Sequence, residues 1–244
     1  SGQREQFAAY CREILRQYSR DTAALMRAAR FCQKQKWHGG FELFMRRLAE
    51  RVPGSRTGIL VTLGEYLASH KMKRSIEYLR AACEALSGDT VPGDKEQQLR
   101  ERALAAAVIH LAERADWEDV VKTFPAEVRA VLYLELAARW GTERPEDAFM
   151  AYRRGLRLKP DAWPGETLVH VALAYAATVA ASDAGKARKA LAWAADYADD
   201  PRLEAEAAAI ALEAGDRDEA LRLSRRVFQR RPDDLDNLGR LVSL

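Results

Sequence analysis

Glycine and proline are scarce in this chain, at 14 and 8 of 244 residues. Alanine and leucine dominate the stretches between them, which is the composition of an all-helical protein. Cysteine is scarcer still. Cys11, Cys32 and Cys83 are odd in number, widely spaced and set among apolar helix positions, which argues against a disulfide framework or a zinc site and for buried thiols. Unpaired thiols lean toward a cytoplasmic, reducing compartment, although a periplasmic protein with spare cysteines also fits them. No long hydrophobic run is present either: the most apolar stretch, TLVHVALAYAATVAA at 167–181, is short and interrupted by His170. A bilayer span needs roughly 20 strongly apolar residues, so none is expected. The formal net charge of +3 says little about partners. An initiator methionine is also missing, and the chain stops at NLGRLVSL inside an apolar helical pattern. Residues 1–2 therefore read as a cloning scar and the whole as a piece of a longer protein.

Signatures of catalysis are missing too, so no catalytic, metal or cofactor-binding residue is assigned. His38, His70, His110 and His170 show no i, i+4 pair with a companion acid, and read as surface or packed histidines. GDRDEA and GTERPEDA lack the glycine pattern of a phosphate loop. Ser224 sits among arginines on a helix face rather than in a nucleophile elbow. The many carboxylates have no concave apolar setting to raise a pKa and read as solvated helix faces. Basic clusters HKMKR (70–74) and YRRGLRLK (152–159) lie at helix ends or on a helix diluted by acids, so nucleic-acid binding is disfavoured.

What is present is a repeat. Ala148 and Ala220 each precede a proline by twelve residues, at Pro160 and Pro232, and Phe41 stands in the same relation to Pro53. Before each lies a second helical pattern, at 22–35, 128–140 and 202–214, so the unit is a helical hairpin closed by proline. EAGDRDEALRLSRRVFQRRPDD (213–234) is one such turn, second helix and closing proline. Its six arginines are balanced by six acids, with the acids early and the arginines late as the helix macrodipole favours.

This pattern resembles the tetratricopeptide repeat family, whose unit is a helix A, a tight turn, a helix B and a closing proline. The family places small residues where the helices cross. Ala29 and Ala208 fall at that position of helix A, and Ala148 and Ala220 at that of helix B. Phe41 departs from the pattern, as do the alanines and leucines standing where helix A has large or aromatic consensus residues. The resemblance implies an all-α fold, a right-handed α-α superhelix of about six hairpins. Helices are expected at about 4–18, then in pairs at 22–36 with 39–52, 56–70 with 73–87, 95–115 with 117–124, 126–140 with 145–158, 163–181 with 184–198, and 201–214 with 217–231, before a truncated helix from 233. The Gly- and Pro-rich stretch 87–94 is expected to link N-terminal repeats (3–86) to C-terminal ones (95–244). The short helix after 117 marks a bend or shallow pocket near Trp117 and Phe124.

The resemblance also implies where a partner sits: another protein, as a helix or folded surface, along the concave row of A helices. Met26, Arg30, Gln33, Leu60, Tyr133 and Trp140 are the contact candidates. The lysine and asparagine pairs that clamp chaperone C-terminal carboxylates are absent from the matching positions, which hold Met26 with Arg30, Leu60 with Gly64, Tyr133 with Ala137, and Ala205 with Ala209. Arg222, Arg226 and Arg230, four residues apart, form a candidate basic stripe on the convex side. Trp37 and Trp193 are expected to plug the space between hairpins, and Trp163 to pack on Pro164. The expected function is a non-catalytic scaffold within a multiprotein, bacterial assembly. Two alternatives stand beside it: a periplasmic repeat region of an exopolysaccharide synthesis and export protein that recruits a modifying enzyme, and a regulatory or substrate-recruiting arm of an enzyme.

Overall fold

The computed structural model describes residues 2–87, 93–162, 165–234, 236, 237, 239 and 241. Among them are thirteen α-helices, one short 3-10 turn at Pro53–Ser55 and no strand. They form two compact units, residues 1–129 and 130–244. The first contains α1 (Gly2–Tyr18), α2 (Thr22–Lys34), α3 (His38–Arg51), α4 (Arg56–Ser69), α5 (Ser75–Leu86), α6 (Asp94–Leu111) and α7 (Trp117–Val121). The boundary falls within α8 (Ala126–Trp140). The second unit continues through α9 (Pro145–Leu158), α10 (Gly165–Val179), α11 (Ala184–Ala195), α12 (Pro201–Glu213) and α13 (Arg217–Arg230). α6, which follows the stretch 87–94, packs on both α4 and α5, so the described helices on its two sides belong to one unit. Most of that stretch, 88–92, is outside the described residues, as are Trp163, Pro164 and most of the helix expected from 233.

Each end of a hairpin has a chemical cause. Asp21, Asp183, Asp200 and Asp216 begin α2, α11, α12 and α13, each accepting a hydrogen bond from a backbone N–H of the first turn. Inside three hairpins the turn is the same: Trp37 N–H bonds Cys32 O, Met72 N–H bonds Leu67 O, and Asp216 N–H bonds Ala211 O, at 2.8–2.9 Å. That closure needs a left-handed residue just before the donor. Gly215 supplies it at φ +79, but Lys36 and Lys71 take it at φ 54 and 55. The closing prolines act alike. The residue before a proline is held out of the helical region, and Val52, Lys159 and Arg231 end α3, α9 and α13 at φ/ψ of −124/75, −138/79 and −139/80.

Small residues stand where helices cross, as the pattern requires. Ala29, Ala148, Ala208 and Ala220 have no exposed surface. Gly64 does the same work in α4: a Cβ there would lie 2.6 Å from Leu79 Cγ of α5. In α9, a Cβ on Gly155 would lie 2.8 Å from Leu134 of α8. Gly64, counted from the sequence among groove positions, therefore faces its own hairpin partner. Phe41 is accommodated rather than excluded, 2% exposed and with its ring centroid 4.3 Å from that of Tyr66. Around it Leu25, Phe44, Leu48, Leu63 and Leu67 form the core of the first unit.

A polar cluster caps that core where α3 begins and α4 ends. His38 Nδ1 lies 3.0 Å from the Tyr66 hydroxyl, and His70 Nδ1 lies 2.8 Å from the Tyr66 carbonyl. The two imidazole centroids are 4.4 Å apart. Desolvation, then the neighbouring His70 and Lys36, lower the His38 pKa below its ordinary 6.5. A lowered imidazole pKa contributes stability above pH about 6.5, lost as the pH falls through the lowered value.

Two outcomes are expected. Gly64→Ala forces Leu79 aside and lowers the unfolding free energy by about 1–2 kcal/mol, after its gain in helix propensity. Gly58→Ala, whose Cβ meets only Leu99 at 3.9 Å, raises it by about 0.5 kcal/mol. Denaturant titrations of the two variants of α4 give opposite signs if this crossing is as close as described. Second, His38→Gln flattens the loss of stability as the pH falls below about 6.5. An unchanged pH slope would mean that His38 carries no linkage.

Candidate functional site

The exposed row of α2 is the first surface that the contact candidates define. Arg30 and Gln33 are exposed, and Met26, one turn before Arg30, is half-buried against the core. Leu60, Tyr133 and Trp140 lie elsewhere, at 8%, 4% and 4% exposure. Their sequence spacing matched Met26, but their surroundings do not. α4 buries residues on nearly every face, because α3, α5 and α6 all pack on it. Leu60 keeps only a sliver of surface, and Tyr133 and Trp140 are core aromatic residues.

A second kind of surface repeats along the hairpins. At three places among the described residues two B helices flank an A helix and a groove opens over it. In the first unit α3 and α5 wall a groove of about 440 Å³ over α4, with Arg46, Pro53, Leu60 and Tyr78 in its lining. In the second unit α9 and α11 wall one of about 380 Å³ over α10, and α11 and α13 wall one of about 280 Å³ over α12.

Their electrostatics differ. Beside the first groove, Glu42 is 8% exposed and accepts a 2.6 Å hydrogen bond from the Tyr78 hydroxyl, with Arg74 at 3.5 Å. Burial, then Glu42, push the Tyr78 hydroxyl pKa well up, which keeps it a donor. The α11–α13 groove holds the expected basic stripe, but its arginines do not simply face solvent. Arg226 and Arg230 both reach Glu204 of α12, at 2.6 and 3.2 Å, and Arg230 also pairs with Asp199. Arg222 pairs with Glu219 on its own helix at 2.6 Å, and Arg188 of α11 with Asp216 at 2.7 Å. The Arg222 guanidinium holds the Glu219 carboxyl below the usual carboxylate range, and Arg188 does the same to Asp216. Glu204 is what the sequence could not show: it lies on the preceding helix, with nothing in its spacing to connect it to Arg226.

The remaining candidates are placed plainly. Trp193 sits edge-on to Phe149, with centroids 5.2 Å apart, and Trp37 packs against the core of the first unit. Trp117 and Phe124 are buried at 5% and 2%. His110 is 8% exposed, its pKa lowered chiefly by desolvation, while His170 lies 3.5 Å from Arg202. All three thiols are free and buried. Cys32 is pushed up to about 12 by burial and by the adjacent Cys11, and Cys83 up to about 11 by burial, so both stay protonated at neutral pH. The meeting of Cys11 with Cys32, like that of His38 with His70, joins residues far apart in sequence. Among the described residues no three His, Cys, Asp or Glu side chains are grouped to hold a metal, and no helix is long and apolar enough to cross a membrane.

No family model matches this chain. No curated protein matches it. Among solved structures it is similar to a thermophilic TPR protein of Thermus thermophilus, at 21% identity and a TM-score of 0.32, over 83% of this chain and 97% of that one. The hairpins described above, with their shared turns, small crossing residues and proline exits, make this chain a TPR-like, all-α helical repeat protein.

Proposed function

We propose that this chain is a non-catalytic scaffold that holds another protein against its helical hairpins. The observation that carries the reading is the recurrence of the open groove. The same three-helix construction yields open surfaces of different chemistry. A repeat built this way offers area and register to a partner's helix or folded face. Arg30 and Gln33, with Met26 behind them, are the proposed contacts on the first unit. Leu60, Tyr133 and Trp140, which are buried, are not proposed as contacts. A partner seated there gains most from the apolar part of the row and its orientation from Arg30.

The test is affinity capture from the native cell extract with the wild-type chain and with Arg30→Glu/Gln33→Glu. The double variant changes only exposed side chains, so its helicity is expected to match wild type by circular dichroism. Retention of the captured protein is expected to fall at least about tenfold. Equal retention by both removes the α2 row as the contact. A chain that retains oligosaccharide or nucleic acid and no protein overturns the scaffold reading itself.

A further inference from the structure

The groove between α9 and α11 differs from the neighbouring groove with which it shares α11. Its floor is aromatic: Phe149 stacks on Tyr175, with centroids 4.5 Å apart and planes 10° from parallel, and Trp193 stands edge-on to Phe149. Phe149 and Tyr175 are 2% and 3% exposed, whereas Trp193 is half-buried and leaves part of its ring open. Three cations line the walls, Arg153 from α9 and Lys186 and Lys189 from α11. Lys186 Nζ sits 5.6 Å above the Tyr175 ring.

The acids that face these cations are few. Asp183 lines the groove, but its carboxylate accepts the Lys186 backbone N–H at 2.8 Å and so caps α11. Glu146, in the first turn of α9, is the other acid that acts on Lys186. Arg153 and Lys189 have no carboxylate partner among the described residues. In the α11–α13 groove the reverse holds, because Arg188, Arg222, Arg226 and Arg230 are all bonded to carboxylates of this chain. A groove with exposed cations and an apolar floor is complementary to carboxylates attached to apolar residues.

We infer that the α9–α11 groove seats an acidic, extended segment of a partner protein, its carboxylates on Arg153, Lys186 and Lys189 and an apolar side chain against Trp193. The inference rests on the scaffold reading and names the partner's chemistry at one of its grooves. Lys186 and Lys189 are one helical turn apart, roughly 5–6 Å between Cβ atoms, close to the roughly 7 Å between alternate side chains on one face of an extended segment. A single-stranded nucleic acid fits less well. Phe149 and Tyr175 close their faces on each other and leave no platform for successive bases.

Fluorescence anisotropy of the full chain with a labelled dodecapeptide alternating glutamate and leucine tests this. Saturable binding is expected, weakened in about 0.5 M salt by screening and lost when glutamine replaces glutamate in the peptide. Lys186→Glu/Lys189→Glu is expected to weaken it at least about tenfold. Both lysines are exposed, glutamate is a good helix former and position 186 lies in the first turn, where it is favourable, so this reversal leaves α11 folded. Lys186→Gln/Lys189→Gln, a milder change, is expected to weaken binding to a smaller extent, and Lys95→Gln, at an exposed position of α6 in the other unit, to leave it unchanged. Absent binding, or binding indifferent to both lysine pairs, overturns the inference. Oligothymidylate bound through the same lysines in place of the glutamate peptide also overturns it and assigns the groove to nucleic acid. Either failure leaves the capture test on α2 standing, because the two surfaces are on different units.

Discussion

Everything described above depends on how closely the two helices of a hairpin approach each other. Two helices can meet at their crossing only if one of them presents a side chain no larger than alanine there. Ala29, Ala148, Ala208 and Ala220, and with them Gly64 and Gly155, meet that demand with no room left over. The close crossing turns leucines from both helices into one core, and the A helix becomes the buried member of each set of three. Once it is buried, the B helices on either side stand apart at their outer edges, and the grooves follow.

The repeat was legible in the sequence where it used residues that have few other uses. Alanine twelve positions before proline located the hairpins ending at Pro160 and Pro232, and Phe41 before Pro53 completed the register. The hairpin of α4 and α5 carries neither mark. It lacks the closing proline, places its small residue in the A helix as Gly64, and makes its turn with Lys71 where Gly215 serves another hairpin. Lysine tolerates that left-handed conformation at a modest cost, roughly 1–2 kcal/mol, so helical periodicity, pairing 56–70 with 73–87, located this turn where no glycine marked it. The 3-10 turn at Pro53–Ser55 gave no such sign.

Surface chemistry was much less legible, for a physical reason. Periodicity states which residues share a face of one helix, but a partner's charge comes from the next helix over. Arg222, Arg226 and Arg230 share a face as their spacing said, yet Glu204 decides what two of them do. Tyr133 and Trp140 occupy helical positions equivalent to half-buried Met26 and exposed Gln33 on α2, and only their neighbours bury them. Conversely, Arg153 and Lys189 look like any other cations in a chain with 39 of them, and stand out only because they line one groove with no carboxylate partner among the described residues.

The three proline exits have an architectural consequence. Val52, Lys159 and Arg231 release the chain with nearly the same pair of backbone angles. A joint of constant gauge makes what lies between two joints exchangeable. Whole hairpins can be duplicated or lost by recombination without bending the chain at the splice, whereas an insertion of part of a hairpin cannot. Such a protein lengthens or shortens in whole modules, and its grooves multiply with them.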